Sequence, residues 1–302
     1  MLPVKQIDIQ RRMRVGDLVK EMSQTGVMGA GRIAKAVDII KAMKKDKECK
    51  VFFGLAGAMV PGGMKNIIID MLKSGLIDVF VTTGANLTHD MVEALDFRHY
   101  QGKADVSDKE LFEKGIDRIY ESYMPNKVYG KLEDFFAEHF EDLKDERDIK
   151  SFLWKLGSLL SKKESILRTC FELKIPIFCP ALSDSGIGLM IWGQIAQGKK
   201  IETNAFEDMK EILKIAWNVK KTGVIYIGGG VPKNYIQQAM QFSKGASYGV
   251  QITMDRPEPG GSSGAELREG ISWGKMKEKG KFIDVICDAT IALPIIWAAL
   301  KN

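Results

Sequence analysis

The sequence predicts a doubly wound α/β fold, a mostly parallel sheet with helices on both faces and a helical insertion in its middle. Three observations carry this expectation. Apolar runs of strand length recur along the chain, and each feeds a turn of small or polar residues. Helical periodicity separates these runs, as βαβ units require. Glycines, hydroxyls and carboxylates concentrate in the turns, where an open parallel sheet gathers its ligands.

The 302 residues, 45% hydrophobic and 27% charged, suit one large domain or two modest ones, and the reading adopted is a single domain over 1–302. The net charge of +5 is mild and its basic residues are dispersed, which argues against nucleic acid as a partner. Cys49, Cys170, Cys179 and Cys287 lack metal-ligand spacing, and three histidines cannot build a histidine-rich site, so no metal is expected. Without a leader pattern or a long apolar span, the chain reads as cytoplasmic and not membrane-bound.

Residues 1–45 read as an arm followed by a helix, with Ile33, Ala34, Val37, Ile40 and Met43 at helical spacing. Gly26, Gly29 and Gly31 mark a turn before it. Val51-Phe52-Phe53 is the first strand, and its small-residue turn contains Gly57 and Ala58, with a helix expected near Pro61. A strand, a small turn and a helix start can offer backbone N–H groups to phosphate, although the spacing is not G-x-G-x-x-G. The second strand, Ile77–Val81, runs into Thr83, Gly84, His89 and Asp90 at another helix start. There His89 either contacts a ligand or sits half exposed.

From about Phe97 to Lys174 the chain turns charge-rich and helical, with Leu132, Phe135 and Phe136 on one face and Phe152, Leu153 and Leu156 on another. This is the insertion, because strands resume afterwards at Ile175–Cys179. Asp184, just past that strand, suits a ribose hydroxyl or a helix N-cap. Gly223–Ile227 then leads into Gly228-Gly229-Gly230 and Pro232, the most specific phosphate-type turn in the chain. A strand at Ser247–Thr253 follows, and a last one at Phe282–Cys287 ends on Asp288-Ala289-Thr290. Together these units define a Rossmann-like sheet.

One stretch combines parts that imine chemistry uses. It runs from Gly260-Gly261-Ser262-Ser263-Gly264-Ala265 through Glu269 to Ser272-Trp273-Gly274-Lys275. A mobile loop can close over a ligand, a carboxylate can hold an amine, and an indole can cover a cationic alkyl chain. A desolvated lysine can form a Schiff base. The alternative is that Lys275, with Lys277, Lys279 and Lys281, is a solvated surface charge.

The segment Ser272–Lys275, with Ser263-Gly264-Ala265 and Glu269 upstream, resembles the signature of the deoxyhypusine synthase family. The resemblance extends over nearly the whole chain and is strongest to the deoxyhypusine-synthase-like branch of bacteria and archaea. It implies an NAD-dependent transferase that captures the aminobutyl group of spermidine as an imine on Lys275 and hands it to an acceptor amine, in the family a translation-factor lysine. It implies NAD contacts at Gly57, Ala58, Thr83, Gly84, Asp184, Gly229, Asp288 and Ala289. Amine contacts are implied at Glu269, Trp273, Asn234, His89, Gly260, Gly261 and Ser262, within a homotetramer. The chain departs from the family's amine side. Asn234 stands for a histidine, Leu189 for an aspartate, and His89 for an acidic residue. Transfer to a protein lysine, transfer to a small amine such as putrescine, and a non-catalytic binding role therefore all stay open.

Overall fold

The computed structural model describes residues 1–301. The chain opens with helices α1 (Val15–Thr25) and α2 (Met28–Lys45), strand β1 (Cys49–Leu55), helix α3 (Lys65–Lys73), strand β2 (Val79–Thr82) and helix α4 (Gly84–Ala94). Its middle holds β3 (Tyr100–Gln101), α5 (Asp108–Glu113), β4 (Ile116–Ile119), β5 (Ser122–Pro125), α6 (Val128–Glu138), α7 (Phe140–Leu143), α8 (Ile149–Leu159) and α9 (Ile166–Leu173). There follow β6 (Ile177–Phe178), α10 (Gly186–Ala196), α11 (Ala205–Asn218), β7 (Lys221–Ile227), α12 (Gly230–Gln241) and β8 (Ala246–Thr253). A 3₁₀ turn at Leu267–Ile271, strand β9 (Met276–Ile286) and helix α13 (Ala289–Lys301) complete the chain. Two compact units result, one of residues 1–56, 74–81 and 210–302, the other of residues 57–73 and 82–209.

In the first unit the strands lie in the order β2-β1-β7-β8-β9. Parallel registers run from Cys49↔Lys221 to Leu55↔Ile227, then through Gly223↔Tyr248 and Tyr248↔Lys281. Phe52, Phe53 and Tyr226 are fully buried, so β1 and β7 read in the sequence as continuous apolar runs, as covered parallel strands do. Helices α1, α2 and α13 pack on one another, α2 and α13 cover β8, and α12 packs on β1 and β7. The stripe Ile33, Ala34, Val37, Ile40 and Met43 on α2 is buried as its spacing predicts.

The amino-terminal region carries two helices where one is expected. Gly26 ends α1 in the left-handed conformation (φ 72°), and its N–H reaches Met22 O at 3.2 Å. A side chain at Gly31 would meet the Gly26 carbonyl carbon at 2.4 Å, which requires glycine there. Strand β9 begins six residues before the expected Phe282. Its lysines (Lys277, Lys279, Lys281) occupy the last strand in the sheet order, where charge discourages edge-to-edge pairing and hides the strand signal.

In the second unit α3, α4, α8, α9 and α10 form a packed helical set, with α10 also on α6. The expected helical insertion also carries three short strands. Strands β3, β5 and β4 form an antiparallel sheet, with Ile119 opposite Ser122 and Tyr120 in the left-handed region (φ 55°) at the reversal. These strands have two to four residues and are mostly exposed or half-buried, so no alternation announces them. The helix expected near Pro61 begins at Lys65, because Gly57–Met64 closes turns of its own, including Gly63 at φ 81°.

Candidate active site

In the first unit, the ends of β7 and β8 bring two loops together. Gly228 and Gly230 adopt positive φ (69° and 54°), turning the chain from β7 into α12. A Cβ on Gly229 would lie 2.4 Å from Ser263 Cα, so a glycine is needed for the two loops to touch. Ser263 Oγ then accepts from Gly230 N at 3.0 Å. Gln251, fully buried on β8, donates from Nε2 to Gly228 O (3.2 Å) and Ser263 O (2.7 Å). Its Oε1 accepts from Lys233 Nζ at 2.8 Å, and the same ammonium donates to Ala265 O at 2.5 Å.

Lys233 is 4% exposed, and burial pulls its ammonium down to about 8. Asp284 and Glu269 oppose this shift, and repulsion from Lys275 adds to it. Burial also raises Asp284, whose carboxylate accepts from Leu267 N at 3.1 Å and anchors the 3₁₀ turn to β9.

Around these anchors lies a cavity of about 410 Å³, walled by α12 (Lys233, Asn234, Gln237), the loop after β8 (Gly260, Ser262, Ala265) and the segment Glu266–Lys275. Gly274 at φ 68° turns the chain so that Lys275 N donates to Gly270 O (2.8 Å), while Lys275 O accepts from Ala246 N (2.9 Å). Lys275 Nζ then stands 4.8 Å from the Trp273 ring centroid, over an indole that is 57% exposed. Lys275 makes no ion pair, and the Glu269 carboxylate makes no hydrogen bond or ion pair, among the described residues. A lysine side chain, an indole and an unpartnered carboxylate thus share one cavity.

Of the amine residues named from the sequence, Lys275, Trp273, Glu269, Asn234, Gly260 and Ser262 line this cavity, whereas Gly261 does not. Sequence reasoning missed Lys233, Gln237 and Glu266 in its wall and Gln251 beneath it. One signal existed for Lys233. A cation in a helix's first turn opposes the macrodipole, so its presence there asks for a local partner.

The other expected positions fall at strand ends. Gly229 follows β7, and Asp288 and Ala289 follow β9; these strands run parallel with β8 between them, so both turns belong to one sheet edge. Asp288 Oδ1 accepts from Thr290 N (2.7 Å) and Thr290 Oγ1 (2.8 Å) at the start of α13.

In the second unit Gly57 (φ 80°) and Ala58 lie in the turns before α3. Thr83 caps α4, with its Oγ1 accepting from Asn86 N at 3.4 Å. A Cβ on Gly84 would lie 2.5 Å from Ser185 Oγ, so this turn and the one carrying Asp184 are in close contact. Ser185, not Asp184, caps α10 by accepting from Gly188 N at 3.1 Å, which leaves Asp184 exposed and uncommitted. Asn86 Oδ1, unnoticed in the sequence, is buried without a partner beside Thr83.

Asp90, from the turn after the second strand, is fully buried and accepts from Ser165 Oγ (2.7 Å), Ile166 N (2.9 Å) and Leu167 N (3.0 Å), so its carboxylate caps α9. Leu189 is 56% exposed on α10. His89 lies half-buried on α4 and bonds to His99.

A parallel α/β sheet whose turns bring a lysine, an indole and a carboxylate into one cavity is an arrangement suited to group transfer. The sequence profile of deoxyhypusine synthase matches residues 17–300. The chain belongs to the deoxyhypusine synthase family and is a transferase. It is 45% identical over 302 residues to a probable deoxyhypusine synthase of Methanosarcina thermophila, covering 99% of this chain and 95% of the relative. It is 40% identical over 295 residues to probable deoxyhypusine synthase 1 of Archaeoglobus fulgidus, covering 98% and 96%. A crystal structure assigned to deoxyhypusine synthase from Entamoeba histolytica shares the fold, with TM-score 0.66 at 19% identity over 98% of this chain and 96% of that one. No helix among the described residues is long and apolar enough to cross a membrane.

Proposed function

We propose that this chain is an NAD-dependent aminobutyl transferase that moves the 4-aminobutyl group of spermidine to the lysine of a hypusine-type translation factor. Lys275 carries the group as an imine on Nζ, formed as the C–N bond to the rest of spermidine breaks and 1,3-diaminopropane leaves. The observation that supports this is the cavity in which Lys275 Nζ lies 4.8 Å from the Trp273 ring, in the same wall as the unpartnered Glu269 carboxylate. Trp273 covers the methylene chain and its ammonium, and Glu269 holds the charged end. Asn234 and Ser262 offer neutral polar contacts to the rest of the amine.

NAD supplies reversible two-electron oxidation of the amine carbon when bound. Two sets of turns are assigned to it: Gly229, Asp288 and Ala289 in the first unit, and Gly57, Ala58, Thr83, Gly84 and Asp184 in the second. The positive-φ glycines at strand ends fit a ligand approached by backbone N–H groups. The orphaned Asn86 Oδ1 fits a site completed by a donor from a bound molecule. We assign the enzyme to the cytoplasm, in keeping with four free cysteines.

Transfer to a small amine is the second reading, favoured by Asn234, which gives the cavity wall no acid or base near neutral pH. The test is product analysis with spermidine and NAD, given either a hypusine-type translation factor or putrescine. The proposal expects an aminobutylated factor lysine. Homospermidine alone would select the small-amine reading. No product from either acceptor, with NAD and spermidine both bound, would make the chain a non-catalytic binder.

A further inference from the structure

Lys233 differs from the other charged groups of the cavity wall. It follows Pro232 in the first turn of α12, its side chain is buried, and it makes no ion pair among the described residues. Nζ donates to Gln251 Oε1 on β8 (2.8 Å) and to Ala265 O in the loop after β8 (2.5 Å), both neutral acceptors. Gln251 is itself oriented, because its Nε2 donates to Gly228 O and Ser263 O. An ammonium has three N–H positions, so one of them is left over. Lys233 and Ala265 line the cavity together with Glu269 and Lys275, and no imidazole lines it among the described residues.

We propose that Lys233 is a catalytic residue, the amine whose third position takes a proton from the secondary nitrogen of spermidine and returns it to the departing diamine. The inference deepens the function proposed above and rests on it. Oxidation of the amine carbon needs a lone pair on the neighbouring nitrogen, so that nitrogen must first lose its proton, here to Lys233 Nζ. The hydride from the carbon goes to NAD. Lys275 Nζ then bonds to the carbon and sheds a proton to water. As the old C–N bond breaks, Lys233 gives its proton to the departing nitrogen, which leaves as 1,3-diaminopropane. Lys233 ends the sequence neutral, as it began.

The surroundings suit this task. An ordinary alkylammonium, near 10, holds its proton at neutral pH, and an ordinary carboxylate, near 4, does not take one up. A group that must work in both directions is best placed near the working pH. Burial pulls Lys233 down to about 8, and the charges around it come from two sides of the cavity. Asp284 on β9 and Glu269 on the 3₁₀ turn hold it up, while Lys275, just before β9, pushes it further down. The positive end of α12 also disfavours the charged form.

The test follows the rate at which a borohydride-trapped adduct appears on Lys275, at low spermidine with NAD present, across about pH 6 to 10, so that groups of the free enzyme are read. Lys233 is charged below its folded value and neutral above it. The native rate is therefore expected to rise about tenfold per pH unit and to level off near 8. Lys233→Arg keeps a cation and its donors but never releases a proton. It is expected to slow the adduct roughly a hundredfold or more, with spermidine and NAD binding by calorimetry unchanged. Lys233→Met gives the same test if the guanidinium does not fit. Asp284→Asn keeps an acceptor for Leu267 N and removes a charge that holds Lys233 up, so the limb moves to lower pH, a shift that a merely structural lysine would not produce. A flat native profile, a limb that stays in place in Asp284→Asn or Lys233→Met, a native rate in Lys233→Arg, or loss of ligand binding equal to the loss of rate overturns this inference alone. Native protein that binds spermidine and NAD yet forms no adduct on Lys275 overturns the parent reading as well.

Discussion

Lys233 sits in the cavity wall with an ammonium held only by neutral acceptors, Gln251 Oε1 and Ala265 O. Its folded value of about 8 lies below the ordinary 10.5, so between those pH values the folded chain binds fewer protons than the unfolded one. Stability from this group therefore rises with pH across that window, and below about pH 8, where both states are charged, the burial cost stands in full. The shift corresponds to on the order of 3 kcal/mol. Lys233→Met, which keeps an unbranched chain, is expected to remove this rise, as read from urea midpoints between pH 8 and 10.5. A rise that persists in the variant would assign the titration to another group. Glu269, exposed and unpartnered, leads to a second expectation: Glu269→Gln weakens spermidine binding roughly tenfold or more and leaves NAD binding alone. Calorimetry with each ligand checks it, and equal losses for both would remove Glu269 from the amine site. That Lys275, Trp273 and Glu269 share one cavity was legible because they fall within one contiguous segment. Lys233, Gln251 and Asn86 were not, because burial of a polar side chain is created by strands and loops distant in sequence.

At the scale of elements, the site depends on the contact between the glycine turn after β7 and the Gly-Ser loop after β8. Gly229→Ala would place a methyl carbon 2.4 Å from Ser263 Cα, so one loop must move. Overpacking of this kind costs about 1–3 kcal/mol. The variant is expected to unfold at lower urea and to lose the Gly230 N to Ser263 Oγ bond that sets the cavity's loop wall. Wild-type stability in Gly229→Ala would show that the two loops do not touch in solution. The sheet itself was readable to the extent that burial was two-sided. β1, β7 and β8 announce themselves as apolar runs, while the lysine-bearing start of β9 and the short hairpin of β4 and β5 carry no such pattern. Helix α1 was also hidden, since only the left-handed Gly26 divides it from α2.

For the whole molecule, composition and apolar periodicity predicted an α/β fold, and the parallel sheet bears this out. Leu189, Trp192 and Ile195 form a stripe along α10, exposed by 56%, 65% and 47%, the kind of apolar surface on which association is tested. A homotetramer, the assembly that the family resemblance implies, would give that stripe a partner. Sedimentation at micromolar concentration is expected to show tetramer, and Trp192→Glu to shift it to smaller species; a wild-type monomer would contradict the assembly. The most direct measurement of the central claim is borohydride reduction during turnover with spermidine and NAD, followed by peptide mass analysis. The account predicts an aminobutyl adduct on Lys275 and none in Lys275→Arg, because a guanidinium forms no imine. An adduct that persists in Lys275→Arg, or one found on another lysine of the wild-type chain, would contradict it.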